Sequence, residues 1–452
     1  MFVFNILCTY MVKVNMIKSI KISNFRCIRQ LKVDLSYGLN KAPNGYKDHS
    51  SWPFIELYAA QKKSRLVPCF LLYGANASGK TTILRALAVM QSVIGHRFNP
   101  RIHYSPNAII EELANEPSTI TCEFYTDAHA FEYTLELGRR GLVAERLCCD
   151  DAALFSVLGA RLAGHSLGAR DDELQETFLT RCVDVKNHSQ IRSFLGAFVS
   201  YLPGLSAQIN AAYDFLMHSL VVVLTSGDLS FHHTYEALFA KAGQEERLEL
   251  EESLQNYLKK LDFNILGLDF YSNRENTARM SEIPDRVEHP LPFEPSPSEA
   301  DREHEPYIYN VLTRHLTSKN REVKFSFNDE SVGTQKAISL LLLFLRAVRS
   351  GQTVLVDELD NSIHTFLVRE LLKIFTERDS NCHAAQLIAT VQNPELLSGK
   401  LLSSSELGFV SYSKKEGASI FRPVEDDSLR ASDNFRRLYL NGEWGGIPFP
   451  LS

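Results

Sequence analysis

Gly74-Ala75-Asn76-Ala77-Ser78-Gly79-Lys80-Thr81 is the stretch that decides how this chain is read. It follows the apolar run Cys69-Phe70-Leu71-Leu72-Tyr73 and opens onto Thr82-Ile83-Leu84-Arg85-Ala86-Leu87. Strand, glycine-rich loop and helix in that order are the setting in which G-x-x-x-x-G-K-[ST] cradles phosphate. Gly74 and Gly79 let the backbone turn tightly, so that successive N–H groups converge on one phosphate chain. The helix that follows aims the positive end of its dipole at the same anion. Lys80 supplies a point charge for the β- and γ-phosphates, and the Thr81 hydroxyl is a ligand for Mg²⁺. With Asn76, Ser78 and Thr82, these residues are the expected nucleotide-binding set.

A second stretch completes that reading. Thr353-Val354-Leu355-Val356 is a short, largely apolar run that ends in Asp357-Glu358. A buried strand delivering two acids at its carboxyl end places them beside a ligand. Asp357 is expected to hold Mg²⁺ or its water. Glu358 is expected to orient and polarise the attacking water, since γ-phosphate hydrolysis depends on positioning and electrostatics.

Outward from these two stretches, the period of the apolar residues sets the remaining elements. Ile17 to Leu35 alternates and reads as two antiparallel strands turning near Asn24-Phe25-Arg26. A short strand is expected at Phe54–Leu57, and an apolar helix from Ile83 to Val93. Ser118 to Leu137 reads as a hairpin turning at Asp127-Ala128-His129. Arg161 to about Asn264 reads as mostly helical, including Gln244 to Leu261 with a stripe of Leu248, Leu250, Leu254, Leu258 and Leu261. Ile265 to Tyr271 is a strand candidate. Glu275 to Pro306, rich in Pro, Glu and Asp, reads as a mobile linker. From Val323 onward strands and helices alternate: strands at Val323–Phe327, Thr353–Val356, Gln386–Val391 and Gly408–Ser413, helices at Thr334–Arg349 and Phe366–Phe375. That alternation argues a mostly parallel sheet.

Composition sets the bounds. The chain has 452 residues, 44% of them hydrophobic, and a net charge of −6. It can bury sizeable cores, and it is not a basic nucleic-acid sponge, although a local basic groove is compatible with that charge. The 8 cysteines include no C-x-x-C pair, which points to a reduced, cytoplasmic protein without a zinc site. His232-His233, Asp150-Asp151 and Asp171-Asp172 lack the partner spacing of a metal site. Met1 to Asn15 is apolar but too short to span a membrane and lacks a cleavage signature, so no membrane association is expected. Translation starts at Met1 or Met16, and Met16 opens what reads as a natural first strand. Arg378 and His383 have the spacing of a ribonuclease motif, but they lie between two core elements, where a separate nuclease domain cannot fit.

The order of motifs resembles a known family. Phosphate loop, long insertion, Glu330-Ser331-Val332-Gly333-Thr334-Gln335-Lys336, Asp357-Glu358-Leu359-Asp360 and a last buried strand is the order of ABC-type ATPase heads of the SMC and RecF class. More closely, the chain resembles AAA-type ATPases of prokaryotic abortive-infection and phage-defence loci, the AbiL/RloA-like group, to which AriA of the PARIS system is related. Ile22-Ser23-Asn24-Phe25-Arg26-Cys27-Ile28, Asp357 through His364, and Arg437-Leu438-Tyr439-Leu440-Asn441-Gly442-Glu443-Trp444-Gly445-Gly446-Ile447-Pro448 carry that likeness. It covers the two ends of the chain, up to Leu137 and from Leu261 onward.

The resemblance implies an α/β fold: an ABC-type head with a mixed or parallel sheet and a phosphate loop, interrupted by a mainly helical insertion. The implied division is an N-terminal ATPase half at 1–140, a helical insertion at 141–264 and a C-terminal half at 265–452, with a linker at 275–306. Ser331 and Gly333 stand at the ABC signature, which meets the γ-phosphate held by a second subunit, so ATP joins two heads. Gln392 stands where the family usually has His. It can hydrogen-bond a phosphate but cannot become charged, which allows slow turnover. The implied function is hydrolysis of ATP with Mg²⁺ in an anti-phage system. There the chain acts as a sensor or scaffold, triggered by nucleic acid or a phage protein, that controls a separately encoded effector such as a nuclease. A RecF-like DNA-repair ATPase and an ATP-binding scaffold without turnover are the alternatives.

Overall fold

The computed structural model describes residues 14–38, 54–59, 62–97, 99–126, 129–159, 161–165, 182–184, 190–201, 206–225, 229, 244–261, 265–272, 309–398, 401–424 and 435–442. The expected linker at 275–306 lies outside them. The chain divides into two compact units, the first comprising 1–225, 347–361 and 371–452, the second 226–346 and 362–370.

The first unit contains two large sheets. The strands of these two sheets are β1 (Met16–Phe25), β2 (Ile28–Asp34), β3 (Cys69–Tyr73), β4 (Ser118–Thr126), β5 (His129–Gly138), β6 (Gly141–Cys149), β7 (Ala152–Leu158), β8 (Arg161–His165), β9 (Leu220–Val223), β10 (Thr353–Val356), β11 (Gln386–Thr390), β12 (Leu407–Ser413) and β13 (Ala418–Pro423). A seven-stranded antiparallel sheet runs β8-β7-β6-β5-β4-β1-β2. Its strands alternate, as β5 does from Phe131 to Leu137, with every second residue buried. That is the pattern of a sheet with one face on a core. The second sheet runs β9-β10-β11-β3-β12-β13, parallel through β12, with β13 returning antiparallel. Every residue of β3, β10 and β11 is buried, which accounts for their largely apolar runs.

Helix α1 (Lys80–Ile94) packs against β1, β4 and β9, and Ile83, Leu84, Leu87, Met90 and Ile94 are fully buried there. Gln386 ties the two sheets: its Oε1 accepts the Ile17 N–H (2.8 Å), and its Nε2 donates to the Ile17 and Val67 carbonyls (both 3.0 Å). A buried amide with all these partners is satisfied, so it specifies the packing at little cost. Glu145 on β6 does the same for helix α2 (Phe194–Tyr201). Its buried carboxylate accepts from Tyr133 Oη (2.7 Å), Ser193 Oγ (2.9 Å) and the N–H groups of Phe194 (2.6 Å) and Leu195 (3.1 Å). An acid at a helix N-terminus satisfies donors that have no partner within the helix.

The region expected to be a helical insertion needs correction. Residues 141–165 are β6, β7 and β8, which extend the antiparallel sheet, and Leu220–Val223 is β9, an edge strand of the parallel sheet. β-branched Val221, Val222 and Val223 suit that pleated edge, and the four-residue run is too short to declare a period. The second unit holds a helix at Gln244–Lys260 and an antiparallel sheet of Gly267–Ser272, Tyr309–Leu316 and Glu322–Ser326. Leu250, Leu254, Leu258 and Leu261 are buried as expected, but Leu248 is 61% exposed. The spacing explains it: Leu250, Leu254, Leu258 and Leu261 follow i, i+4, i+8, i+11, and Leu248 lies off that face.

Candidate functional site

The strand order β10-β11-β3 brings three carboxyl ends side by side. The phosphate loop leaves β3, Asp357 and Glu358 leave β10, and Gln392 follows β11. A cleft of about 520 Å³ opens there, lined by Arg26, Cys27, Asn76, Ala77, Ser78, Gly79, Lys80, Thr81, Thr82, Ser105, Asp357, Glu358 and Gln392. Ligands of open α/β sheets bind at such carboxyl ends. Of the sequence-expected set within this unit, only Gly74 is not in the lining, and it still touches the site through its carbonyl.

Within the loop, Gly79 precedes α1 with φ 109°, a conformation that disfavours any side chain, and a Cβ there would collide with Ser419 Oγ. No side chain caps the first turn of α1 and no acid lies in it, so its N–H groups face the cleft side of the loop without a local carboxylate. Lys80 is buried, and its Nζ donates to the carbonyls of Gly74 (2.6 Å) and Ala75 (3.0 Å). Burial pulls the Lys80 ammonium below its usual value, while Asp357, Asp360 and Glu358 act to raise it. Asp357 and Glu358 line the same cleft as this buried lysine.

The acids are held by a small network. Asp357 N–H donates to the Val223 carbonyl (2.8 Å), which fixes the end of β10 on β9. Thr390 Oγ1, fully buried, accepts the Glu358 N–H (2.7 Å) and donates to Asp357 Oδ1 (2.5 Å). Glu358 is left-handed, φ 48°, which costs a non-glycine residue about 1–2 kcal/mol. Asn361 Nδ2 donates to Glu358 Oε2 (3.1 Å). Asp360 Oδ2 accepts the N–H groups of Gln392 (2.9 Å) and Asn393 (2.6 Å), so the turn after β10 fixes the backbone after β11. Gln392 itself is exposed.

Ser331 and Gly333 belong to the second unit. Ser331 Oγ accepts the Thr334 N–H (3.1 Å) and meets Thr334 Oγ1 (2.8 Å), the bonding of an N-cap to helix Val332–Ser350. The loop before it is fixed by Gln335, whose Nε2 donates to the carbonyls of Asn328 (3.1 Å) and Glu330 (2.8 Å). At Gly333 a Cβ would collide with the Ser362 carbonyl, so the close approach of that turn requires glycine.

Sequence reasoning missed Arg26, Cys27, Ser105, Asp360 and Thr390. Arg26 and Cys27 lie in the turn between β1 and β2, with Asn24 (φ 50°) and Arg26 (φ 52°) both left-handed. Arg26 Nε has no hydrogen-bond partner among the described residues. Burial, then the nearby Arg85, pull its guanidinium below the usual value. Arg26 at the cleft would be visible from sequence only if the β1–β2 turn were already placed beside the phosphate loop.

A family model described as "AAA ATPase domain" matches residues 16–266, more than half of the chain. The chain belongs to that family. It is an α/β AAA-type ATPase, and a second model, described as "AAA domain, putative AbiEii toxin, Type IV TA system", matches residues 228–398. No curated protein is significantly similar in sequence. Among solved structures, the chain is similar to an SMC head bound to the C-terminal winged-helix domain of ScpA (11% identity, 90% of this chain, 98% of that one, TM-score 0.46). It is also similar to the SMC head domain from Thermotoga maritima (14%, 91% and 99%, TM-score 0.41). A third is RecF of the RecFOR pathway with a bound ATP analogue (11%, 91% and 100%, TM-score 0.34). Among the described residues no helix is long and apolar enough to cross a membrane.

Proposed function

We propose that this chain hydrolyses ATP to ADP and phosphate as an ABC-type head, and that it does so as the sensing or scaffolding ATPase of an anti-phage defence system with a separately encoded effector. The observation that carries the ATPase reading is the cleft. Lys80, Thr81, Asp357, Glu358 and Gln392 come from three separate segments of the chain and line one cavity. The defence reading is supported by the AbiEii description of the model over 228–398 and by the family resemblance of both chain ends.

Roles follow from the chemistry of each group. The loop N–H groups and Lys80 take the phosphates, for which Lys80 must exchange its bonds to the Gly74 and Ala75 carbonyls. Thr81 and Asp357 present only oxygen donors in the same cleft, the donor set a hard cation needs, and they would hold Mg²⁺. When bound, that ion neutralises charge on the phosphates. Glu358, its carboxylate turned by Asn361 and its backbone pinned by Thr390, accepts a hydrogen from the attacking water. Gln392 contributes an amide that can bond a phosphate oxygen or the water but never a proton, which fits slow turnover. Ser331 and Gly333 complete the site of a second copy, so that head-to-head dimers form with ATP bound. The trigger is a nucleic acid or a phage protein.

Lys80→Ala tests the nucleotide site. The variant removes the loop's side-chain cation and is expected to lose ATP binding measured by calorimetry; ATP bound as tightly as by the parent overturns the assignment. Co-purification with the product of the neighbouring reading frame tests the defence role, and a lone, duplex-DNA-stimulated ATPase would overturn it.

A further inference from the structure

We propose that His129, Cys149 and Asp150 form a binding site for one zinc ion at the turn joining β6 to β7, apart from the nucleotide cleft. Their donor atoms, one from each residue, all lie within 4.8 Å of one another. None of the three lines the cleft. The site therefore stands independently of the ATPase reading.

The fold builds it from segments twenty residues apart. β5 and β6 are antiparallel partners with Phe131 opposite Cys149, which sets His129, at the start of β5, near the end of β6. The chain then turns through Asp150 and Asp151, both left-handed at φ 50° and 69°. Two bonds to the Ala130 backbone lock Asp150 against β5: the Asp150 N–H donates to the Ala130 carbonyl (2.7 Å), and its Oδ1 accepts the Ala130 N–H (2.9 Å). With Oδ1 committed, Oδ2 is the oxygen that meets both His129 Nδ1 (2.6 Å) and Cys149 Sγ (3.8 Å). A carboxylate oriented by a backbone N–H on its far oxygen is the support that metal-ligating carboxylates have.

Geometry and chemistry select the ion. Zinc bonds of about 2.0–2.3 Å in a tetrahedron hold donor atoms roughly 3.3–3.6 Å apart. The Cys149–Asp150 separation needs to close only slightly. The His129–Asp150 pair must open by roughly 0.7 Å, within reach of a side-chain rotation of half-buried His129. Thiolate, imidazole and carboxylate together suit zinc and exclude Mg²⁺ or Ca²⁺, which take oxygen sets. Cys149 is buried while His129 and Asp150 are half-buried, so the sulfur is sheltered and the fourth position faces solvent.

The proton balance is simple. Without a cation the Cys149 thiol donates to Asp150 Oδ2. Binding breaks the S–H bond, forms the zinc–sulfur bond and releases one proton to solvent. His129 would give Nδ1 to the metal and carry its N–H on Nε2. Sequence spacing could not show this site, because no two of its ligands form a metal-type repeat.

Titration of the chelator-treated full chain with Co²⁺, then Zn²⁺, tests the proposal. One Co²⁺ per chain is expected to bind with a near-ultraviolet sulfur-to-cobalt charge-transfer band, and Zn²⁺ should displace it. Cys149→Ser should abolish the band, and His129→Ala and Asp150→Asn should weaken binding at least about tenfold. Cys148→Ser and Cys27→Ser should leave it intact. Zinc should raise the melting temperature of the parent and not that of His129→Ala, which changes a half-buried residue and serves should Cys149→Ser fail to fold. No charge-transfer band, a band that survives Cys149→Ser, or equal Co²⁺ affinity in His129→Ala overturns the site and leaves a hydrogen-bonded turn.

Discussion

Thr390→Val separates positioning from binding in the proposed ATPase. The substitution keeps the shape of a fully buried side chain and deletes one hydroxyl, which accepts the Glu358 N–H and donates to Asp357 Oδ1. Two effects follow. The Glu358 N–H loses its acceptor, worth about 1–3 kcal/mol where the group cannot reach water. Asp357 loses a hydrogen bond to a charged oxygen, worth about 1.5–3 kcal/mol. Against this pinning stands the left-handed Glu358 backbone, which favours relaxation by about 1–2 kcal/mol. With the pin gone, the working orientation of both acids becomes the minor one. A loss of about 2 kcal/mol of positioning corresponds to a turnover roughly 30-fold slower. ATP affinity should stay within about threefold, because Lys80 and the loop N–H groups are untouched. Phosphate release at saturating ATP gives the first quantity and calorimetry the second. Thr390→Ser, which retains the hydroxyl, should recover most of the rate. A folded Thr390→Val protein that turns over within about twofold of the parent would refute the reasoning, and Glu358 would then owe its orientation to something else.

Four further outcomes are expected. Glu358→Gln should bind ATP normally and release phosphate at least about a hundredfold more slowly, while Gln392→His, which restores the residue usual in the family, should not reduce the rate in the same assay. Ser331→Arg places a long cation at a helix N-terminus; it should still bind ATP yet fail to associate when sedimented with ATP, and a normally active monomer would remove the ABC-type mechanism. Burial pushes the Glu123 carboxyl up, but Lys21 (2.5 Å) and Lys18 (3.2 Å) overcome it and hold the group below its usual range. Its folded value is therefore depressed, so its contribution to stability is complete above the ordinary glutamate range and is lost as pH falls through the lowered value; Glu123→Gln should flatten that acid limb of a pH series of urea melts.

Whether a feature could be read from the sequence depended on whether its cause was local. β3, β10 and β11 were legible because a strand buried on both faces is mostly apolar, and the runs at Cys69, Thr353 and Gln386 are apolar apart from Thr353, Gln386 and Thr390, whose polar groups are hydrogen-bonded. The phosphate loop was legible because backbone geometry forces its glycines and lysine to a fixed spacing. β6, β7 and β8 were not, since an antiparallel sheet tolerates exposed and small residues such as Ala152 and Ala153, and their pattern is set by partners they meet only in the fold. The same holds within the site. Asp357 and Glu358 announce themselves at the end of an apolar strand, but Thr390 is one more residue of a buried run, and its hydroxyl matters only because β11 lies against β10 in the register that sets Val356 beside Ala389. Asp360 reads as one acid among several until the backbone of Gln392 is found hydrogen-bonded to it. His129 and Asp150 carry no metal-type spacing; antiparallel pairing of β5 with β6 is what converts a separation of 21 residues into a contact. Chemistry carried by a single segment can thus be read directly, whereas the groups that orient it come from neighbouring strands and are found only once register is known.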